Sequence, residues 1–290
     1  MGANGQLGKC LANSLKDEYR IETYTKEQCD ITDHQTVVNL VSKEDPDIII
    51  NSAAYTDVDK AEKDLSTAEN VNSQGPKLLS DQLKKTNKLL IHYSTDYVFD
   101  GQANYPYKES DAPSPINNYG RTKLLGENYI INSNINYLIF RTTWVYDINA
   151  NNFPNKIVKL YKMNDPLKVV SDQYGVPTSA RMIADVTKTC IGKYFSSEEP
   201  KLNGLYHLTP TGSTDWYSFS KYIIDELNKK KYFKKINRIL PCDTETYNLP
   251  AKRPKYSLLN CQKIKKNFDI DLPHWKHHVN LFVEEIYKNK

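Results

Sequence analysis

The chain opens on Gly2-Ala3-Asn4-Gly5-Gln6-Leu7-Gly8, and from there short β-branched runs alternate with helical patterns through the first half. A glycine turn that leads into a helix offers bare backbone N–H groups and a positive helix end to a pyrophosphate. Helical periodicity covers 8–16, 33–42 and 118–131, with a long charged stretch over 58–85 broken near Gly75-Pro76. Between them, 21–25, 47–52, 89–94 and 137–142 read as strands. Runs such as Ile48-Ile49-Ile50 are apolar on both faces, which a strand tolerates only with helices covering both sides of its sheet. The predicted class is therefore α/β, a doubly wound parallel sheet with right-handed crossovers.

The second half is looser. Proline, glycine and aromatic residues gather through Asp172-Gln173-Tyr174-Gly175-Val176-Pro177-Thr178, followed by a strand at 204–209 and helices at 215–228 and 275–288. The expected division is a nucleotide-binding core at 1–145 and a smaller C-terminal, mainly substrate-binding lobe at 146–290, with about 204–228 returning to the core. One feature departs from the pattern. A glycine turn of this kind normally follows an apolar central strand, whereas only Met1 precedes Gly2, so the chain as given is expected to lack its first strand.

Chemistry gathers at the ends of the predicted strands. Ser94-Thr95-Asp96-Tyr97-Val98-Phe99-Asp100-Gly101 closes one of them, and Tyr119-x-x-x-Lys123 follows on a helix. Residues four apart share a helix face, so an ammonium there can stabilise a phenolate. With 21 tyrosines in a lysine-rich chain, a second match at Tyr217/Lys221 is what chance supplies, and it reads as a solvated helix face. Only Tyr119/Lys123 stands at the right distance after a strand ending in Ser-Thr. Thr95, Tyr119 and Lys123 together describe a hydride-transfer site: a hydroxyl to polarise a carbonyl, a phenol to protonate it and a cation to tune the phenol.

Composition excludes several classes. The longest apolar runs are far too short to cross a bilayer, and no charged-then-apolar leader precedes the turn, so neither a membrane span nor a secretory signal is expected. The five cysteines, Cys10, Cys29, Cys190, Cys242 and Cys261, form no Cys-x-x-Cys pair, which fits a reducing cytoplasm. Net charge is +4, and the run Lys229-Lys230-Lys231 with Lys234-Lys235 lacks arginine-aromatic interleaving, so nucleic acid is not an expected partner. His207 sits in an apolar run and reads as a strand residue; His274, His277 and His278 have no accompanying carboxylate pattern for a metal.

With these motifs in place, the whole chain resembles the extended short-chain dehydrogenase/reductases, and more narrowly the dTDP-4-dehydrorhamnose reductases. The superfamily is marked by the glycine turn and the Tyr/Lys pair. The narrower likeness rests on Asn51-Ser52-Ala53-Ala54-Tyr55-Thr56-Asp57-Val58-Asp59-Lys60-Ala61-Glu62, on 94–101, on Arg141-Thr142-Thr143-Trp144-Val145-Tyr146, on 172–178, on Gly204-Leu205-Tyr206-His207-Leu208-Thr209 and on Arg253-Pro254-Lys255-Tyr256-Ser257. Ser52 stands where the family usually has alanine.

The resemblance implies a Rossmann-type fold and NADPH-dependent reduction of the C4 ketone of dTDP-4-dehydro-L-rhamnose to dTDP-L-rhamnose, in surface polysaccharide synthesis. It places Gly2, Asn4, Gly5, Gln6 and Leu7 at the pyrophosphate, Asp30 and Ile31 at the adenine, and Ala53, Ala54 and Tyr55 along the middle of the cofactor, with Tyr119 and Lys123 beside the nicotinamide. Asp30 can equally be a helix cap, as can Asp33. The strand ending near Thr25 lacks the acidic residue that selects NADH, and Lys26 is placed to favour a 2′-phosphate, so NADPH is expected with NADH possible. Asp96, Tyr97, Trp144 and Arg253 are the expected substrate contacts. Trp144 packs against the sugar or in the core at the lobe boundary; Arg253 meets the diphosphate or pins the lobe by an ion pair. Tyr97 replaces the glutamate that sugar-nucleotide dehydratases carry, which favours simple reduction. The alternatives are a reductase of another deoxysugar nucleotide, or a non-catalytic NADP-binding module like the regulatory subunit of methionine adenosyltransferase. The resemblance also allows a homodimer; the divalent metal that joins some relatives through glutamates has no positions singled out here.

Overall fold

The computed structural model describes residues 1–196 and 202–289. The glycine turn feeds α1 (Gln6–Leu15), and α2 (His34–Glu44) precedes β1 (Ile48–Asn51). The expected long helix over 58–85 is instead α3 (Val58–Ala61), α4 (Leu65–Glu69), a π turn at Asn70–Gln74 and α5 (Gly75–Leu83). Asp57 and Asp64 cap new helix starts there, each accepting a backbone N–H three residues on. Gly75-Pro76 begins α5 rather than breaking it, because proline at a first-turn position gives up no hydrogen bond. Next come β2 (Leu89–Thr95), α6 (Asn118–Ile131) and β3 (Asn136–Thr142).

The second half adds β4 (Val145–Tyr146), α7 (Phe153–Met163), β5 (Leu167–Val170), β6 (Tyr174–Gly175), β7 (Thr178–Ser179), α8 (Ala180–Ser196), β8 (Gly204–His207), β9 (Thr214–Asp215), α9 (Trp216–Lys229), β10 (Ile239–Cys242), α10 (Gln262–Phe268) and α11 (Trp275–Lys288). The main sheet is parallel, in the order β1-β2-β3-β8. Every residue of β2 is buried, as a central strand covered on both faces requires. On one face α1 and α8 meet through Leu11, Leu15, Ile183 and Ile191; on the other Val37 of α2, Leu79 and Leu83 of α5 and Ile130 of α6 pack on Leu90 and Ile139. Of the 204–228 stretch, only β8 joins this sheet. The α9 helix instead packs with α11 around Phe219, Ile223, Trp275 and Phe282, because its apolar face has its partners in the lobe.

The segment 21–25 forms no strand and pairs in no ladder. The Tyr24 carbonyl accepts from Ala3 N–H at 3.1 Å. On the outer edge of β1 the Met1 amino group donates to the Ile50 carbonyl at 2.9 Å, and Ser52 N–H and its hydroxyl both donate to the Met1 carbonyl. A cavity of about 400 Å³ lies between β1, α1 and the 21–24 segment, lined by Leu11, Leu15, Ile21, Ile48 and Ile50 among others. A strand needs a neighbouring strand for its hydrogen bonds, and the 21–25 backbone bonds only to the turns on either side, through Tyr24 to Ala3 N–H and through Thr25 to Cys29 and Gln28, among the described residues.

No described helix is long and apolar enough to cross a membrane. The basic run around 229–235 is largely neutralised: Lys229 pairs with Glu226, Lys230 with Glu284 and Lys235 with Asp165.

Candidate active site

The site lies at the carboxyl ends of β1, β2 and β3, where open parallel sheets bind ligands. Local sequence aims each part. Gly2 has φ +75°, and a Cβ there would stand 2.6 Å from Ala53 N; a Cβ at Gly8 would stand 2.2 Å from the Gly2 carbonyl oxygen. The turn therefore packs backbone on backbone. Gly5 caps α1 with no side chain, so the first N–H groups of the helix keep open valences for an anion. This cradle fits a dinucleotide pyrophosphate, with Gly2, Gly5 and the first turn of α1 as the groups that would hold it.

The other expected cofactor residues fare differently. The Gln6 side chain donates to the Val145 carbonyl at 3.0 Å and accepts from Asn152, tying α1 to the lobe and leaving its backbone for a phosphate. Leu7 packs against the core. Asn4 is exposed beside the turn. Ile31 is buried core under α5, 2.6 Å from where a Gly75 Cβ would be. Asp33 is the cap of α2, accepting from Thr36 N–H at 2.8 Å, while Asp30 accepts from the backbone and hydroxyl of Thr32. Lys26 is exposed, its ammonium 3.9 Å from Asp30. Ala53 and Tyr55 are held by asparagines: Ala53 N–H donates to Asn51 at 3.1 Å, and Asn72 clasps both backbone groups of Tyr55.

Tyr119 sits in the first turn of α6, which Asn117 caps through Gly120 N–H at 2.8 Å. A Cβ at Gly120 would collide with the Tyr97 carbonyl at 2.0 Å, so glycine here lets α6 close onto the turn after β2. The Tyr97 ring meets the Tyr119 ring edge-on, 5.6 Å between centroids. Burial pushes the Tyr119 phenol up to about 12, opposed by a hydrogen bond with Thr95. The expected lowering by Lys123 is absent. Lys123 turns inward and donates to the Tyr93 carbonyl at 2.6 Å, with His92 Nε2 at 3.2 Å. Burial brings this ammonium down to about 8, with Glu127 acting against the shift.

Thr95 donates to Asp96 at 3.0 Å and accepts from Tyr97 N–H at 3.2 Å. Asp96 is 2 % exposed, and burial raises its carboxyl to about 7 against hydrogen bonds from Ser257 and Thr95. A carboxyl raised on folding stabilises the fold below its unfolded value and loses that contribution as pH climbs through the folded one. Asp96→Asn should therefore raise the melting temperature at pH 8 and change it little at pH 4; equal shifts at both values would mean that Asp96 is not titrating in that window.

The lobe closes the site. Arg253 makes a two-pronged pair with Asp59, at 3.2 and 2.7 Å, and donates to the Ala251 carbonyl, while Ala251 N–H also reaches Asp59. Trp144 has φ +44° and lies face to face on Trp216, 3.5 Å between centroids, with its other contact at Gly175, where a Cβ would come within 2.6 Å. A left-handed tryptophan costs about 1–3 kcal/mol and persists because the stack and the glycine hold it. It is half-buried at the lobe boundary.

Four residues beside the expected ones were not singled out by sequence: Asn51, Asn72, His92 and Trp216. Asn51 opens the motif at 51–62 but carries no role of its own there, Asn72 follows no motif, and His92 lies mid-strand, where a buried histidine usually only packs. Of the other expectations, Lys221 pairs with Asp225 on the α9 surface. His207 is buried in β8 with Nδ1 on the Tyr107 carbonyl at 3.0 Å. His274 caps α11 through Lys276 N–H.

Comparison with known proteins agrees along the whole chain. The family model described as the RmlD substrate binding domain matches residues 1–288. A dTDP-4-dehydrorhamnose reductase of Burkholderia thailandensis is 37% identical over 289 residues, covering 98% of this chain and 97% of that protein. One from Salmonella typhimurium is 37% identical over 290 residues, 99% and 96% of the two chains. The crystal structure of the Bacillus anthracis dTDP-4-dehydrorhamnose reductase in complex with NADP superposes with a TM-score of 0.89 at 35% identity, over 98% of this chain and 97% of that one. A Thermotoga maritima UDP-glucose 4-epimerase, at 15% identity and TM-score 0.76, shares the fold.

Proposed function

The chain belongs to the RmlD family, whose curated relatives include many dTDP-4-dehydrorhamnose reductases, and we propose that it reduces the C4 ketone of dTDP-4-dehydro-L-rhamnose with NADPH, using Tyr119 as the acid. The observation that carries this reading is the convergence of Thr95, Tyr119 and Lys123 at the end of β2, beside a glycine cradle that a Cβ would fill. NADPH supplies the hydride when bound. Thr95 polarises the ketone oxygen, and Tyr119, protonated throughout the neutral range, delivers its proton to that oxygen as the alkoxide develops. Lys123, by its charge, offsets the phenolate left behind. Tyr97, on the turn behind Thr95, walls the acid in and carries no carboxylate to draw a proton from carbon. Trp144 and Trp216 form an apolar plate at the lobe boundary suited to a deoxysugar face. Five unpaired cysteines fit a cytoplasmic location.

NADPH oxidation on adding dTDP-4-dehydro-L-rhamnose tests the reading. No turnover alongside tight NADPH binding would replace it with a binding module. Lys26 is the group proposed to meet the 2′-phosphate. Lys26→Ala should weaken NADPH binding by about two- to fivefold, one exposed charge contact worth roughly 0.4–1 kcal/mol, and leave NADH unchanged. Equal affinity of the wild type for both cofactors would remove that role.

A further inference from the structure

Behind Lys123 runs a buried chain of hydrogen bonds that the hydride-transfer chemistry does not use. Asn51 at the end of β1 places Nδ2 3.2 Å from His92 Nδ1, and His92 Nε2 lies 3.2 Å from Lys123 Nζ. Asn51 and His92 are each 1 % exposed, as is Lys123. The roles along this chain are fixed at one end. Ala53 N–H can only donate, and it donates to Asn51 Oδ1 at 3.1 Å, so the amide must present its NH₂ to the imidazole. His92 Nδ1 is then the acceptor. A neutral ring with Nδ1 accepting carries its proton on Nε2, and that N–H points at Lys123 Nζ. Lys123 completes the pattern only by offering a lone pair to His92 while donating to the Tyr93 carbonyl.

We propose that Asn51 and His92 are positioning residues that bias Lys123 toward the neutral amine in the cofactor-free site, by locking the imidazole with its proton on Nε2. As the ammonium, Lys123 must donate to Nε2, which moves the ring proton to Nδ1 and sets it against the Asn51 NH₂. Turning the Asn51 amide instead sets its NH₂ against Ala53 N–H. Either way one buried donor faces another, a cost the ammonium form bears and the amine does not. A hydroxyl acceptor at Nζ, of the kind a nucleotide ribose offers, restores a partner to the ammonium. Protonation of Lys123 is thereby tied to the filling of the cofactor site and to the Ala53 loop that lines it.

The surrounding charges do not produce the same effect. Glu127 on α6, already engaged by Arg141 from β3, favours the ammonium. Tyr119 stands one turn earlier on α6, with Asp96 beyond it, and the Tyr93 hydroxyl is turned away to Thr187 at 2.8 Å. From the π turn, uncharged Asn72 and Ser73 hold Thr122. Burial acts on His92 and Lys123 in the same sense, disfavouring charge on each.

The test is made first on the cofactor-free protein, labelled on histidine and lysine, by NMR. Above pH 9 the His92 ring nitrogens should show Nε2 protonated and Nδ1 accepting; a ring protonated on Nδ1 there overturns the proposal without any variant. The Lys123 Cε resonance, assigned by its loss in Lys123→Met, should titrate well below an ordinary lysine. In His92→Phe and in Asn51→Leu its midpoint should rise by about one pH unit or more, since each removes the donor lock but keeps the site dry. An unmoved midpoint in folded variants also overturns it. The kinetic consequence rests on the reductase reading: the alkaline limb of kcat/KM moves up with the same two variants. The NMR arms stand whether or not that reading holds.

Discussion

Tyr119→Phe is expected to bind NADPH as the wild type does and to turn over about 10²–10⁴ times more slowly. The substitution keeps the ring and its edge-on contact with Tyr97, so the turn after β2 and the start of α6 are undisturbed. Only the hydroxyl is lost, and with it the proton that meets the forming alkoxide. Because burial holds the phenol near 12, it remains protonated through the neutral range, and its ionisation sets no limit on reduction there. An alkaline fall in rate is therefore assigned to Lys123, whose ammonium is lost as pH rises past about 8. Steady-state NADPH oxidation and nucleotide binding, measured side by side, separate the two effects. Turnover within about tenfold of wild type would mean that the proton comes from elsewhere, and Asp96 would be the next group to replace.

Glu127→Ala should cost roughly 3–5 kcal/mol, a large part of the roughly 5–15 kcal/mol that holds a domain folded. Glu127 on α6 is fully buried, and Arg141 on β3 reaches it through two bonds, at 2.9 and 2.6 Å. Removing the carboxylate strands a guanidinium whose other contact is the face of Phe99, 5.1 Å from the ring centroid. That is too little to offset a desolvated charge. The same pair sets α6 against β3 one turn beyond Lys123, so activity should fall with stability. Glu127→Leu with Arg141→Met removes both charges and should recover most of the loss in urea unfolding. A double variant no more stable than Glu127→Ala would show that packing, and not a stranded charge, is what the pair supplies.

Several elements were legible because their information is local. The α6 helix spans 118–131 as its pattern reads, since Asn117 is a capping residue and the apolar period follows at once. The α11 helix at 275–288 is equally plain. Position relative to a Ser-Thr strand end separated Tyr119/Lys123 from Tyr217/Lys221; in the second pair Lys221 is exposed and bonded to Asp225, while Tyr217 packs partly on the lobe core. Where the reading missed, the deciding partner was remote. The 21–25 run has strand composition, yet a strand forms only beside a neighbour. The 58–85 stretch has helical charge spacing, but Asp57 and Asp64 restart it, and the π turn at 70–74 puts Asn72 where it can clasp Tyr55.

By itself the sequence determined the class of fold, the glycine cradle and the place of the Tyr119/Lys123 pair after a strand end, all of which depend on spacing within a turn, a helix face or a strand end. Only the tertiary structure decided that Arg253 is spent on Asp59 across 194 positions, that Trp144 lies on Trp216, and that Lys123 faces His92 and not its helical neighbour Tyr119. The physical reason is that helix periodicity fixes where a side chain starts but not where its polar end goes. A long lysine buried in a dry interior turns to whichever acceptors surround it, and here those come from β2, which lies thirty residues earlier in the chain.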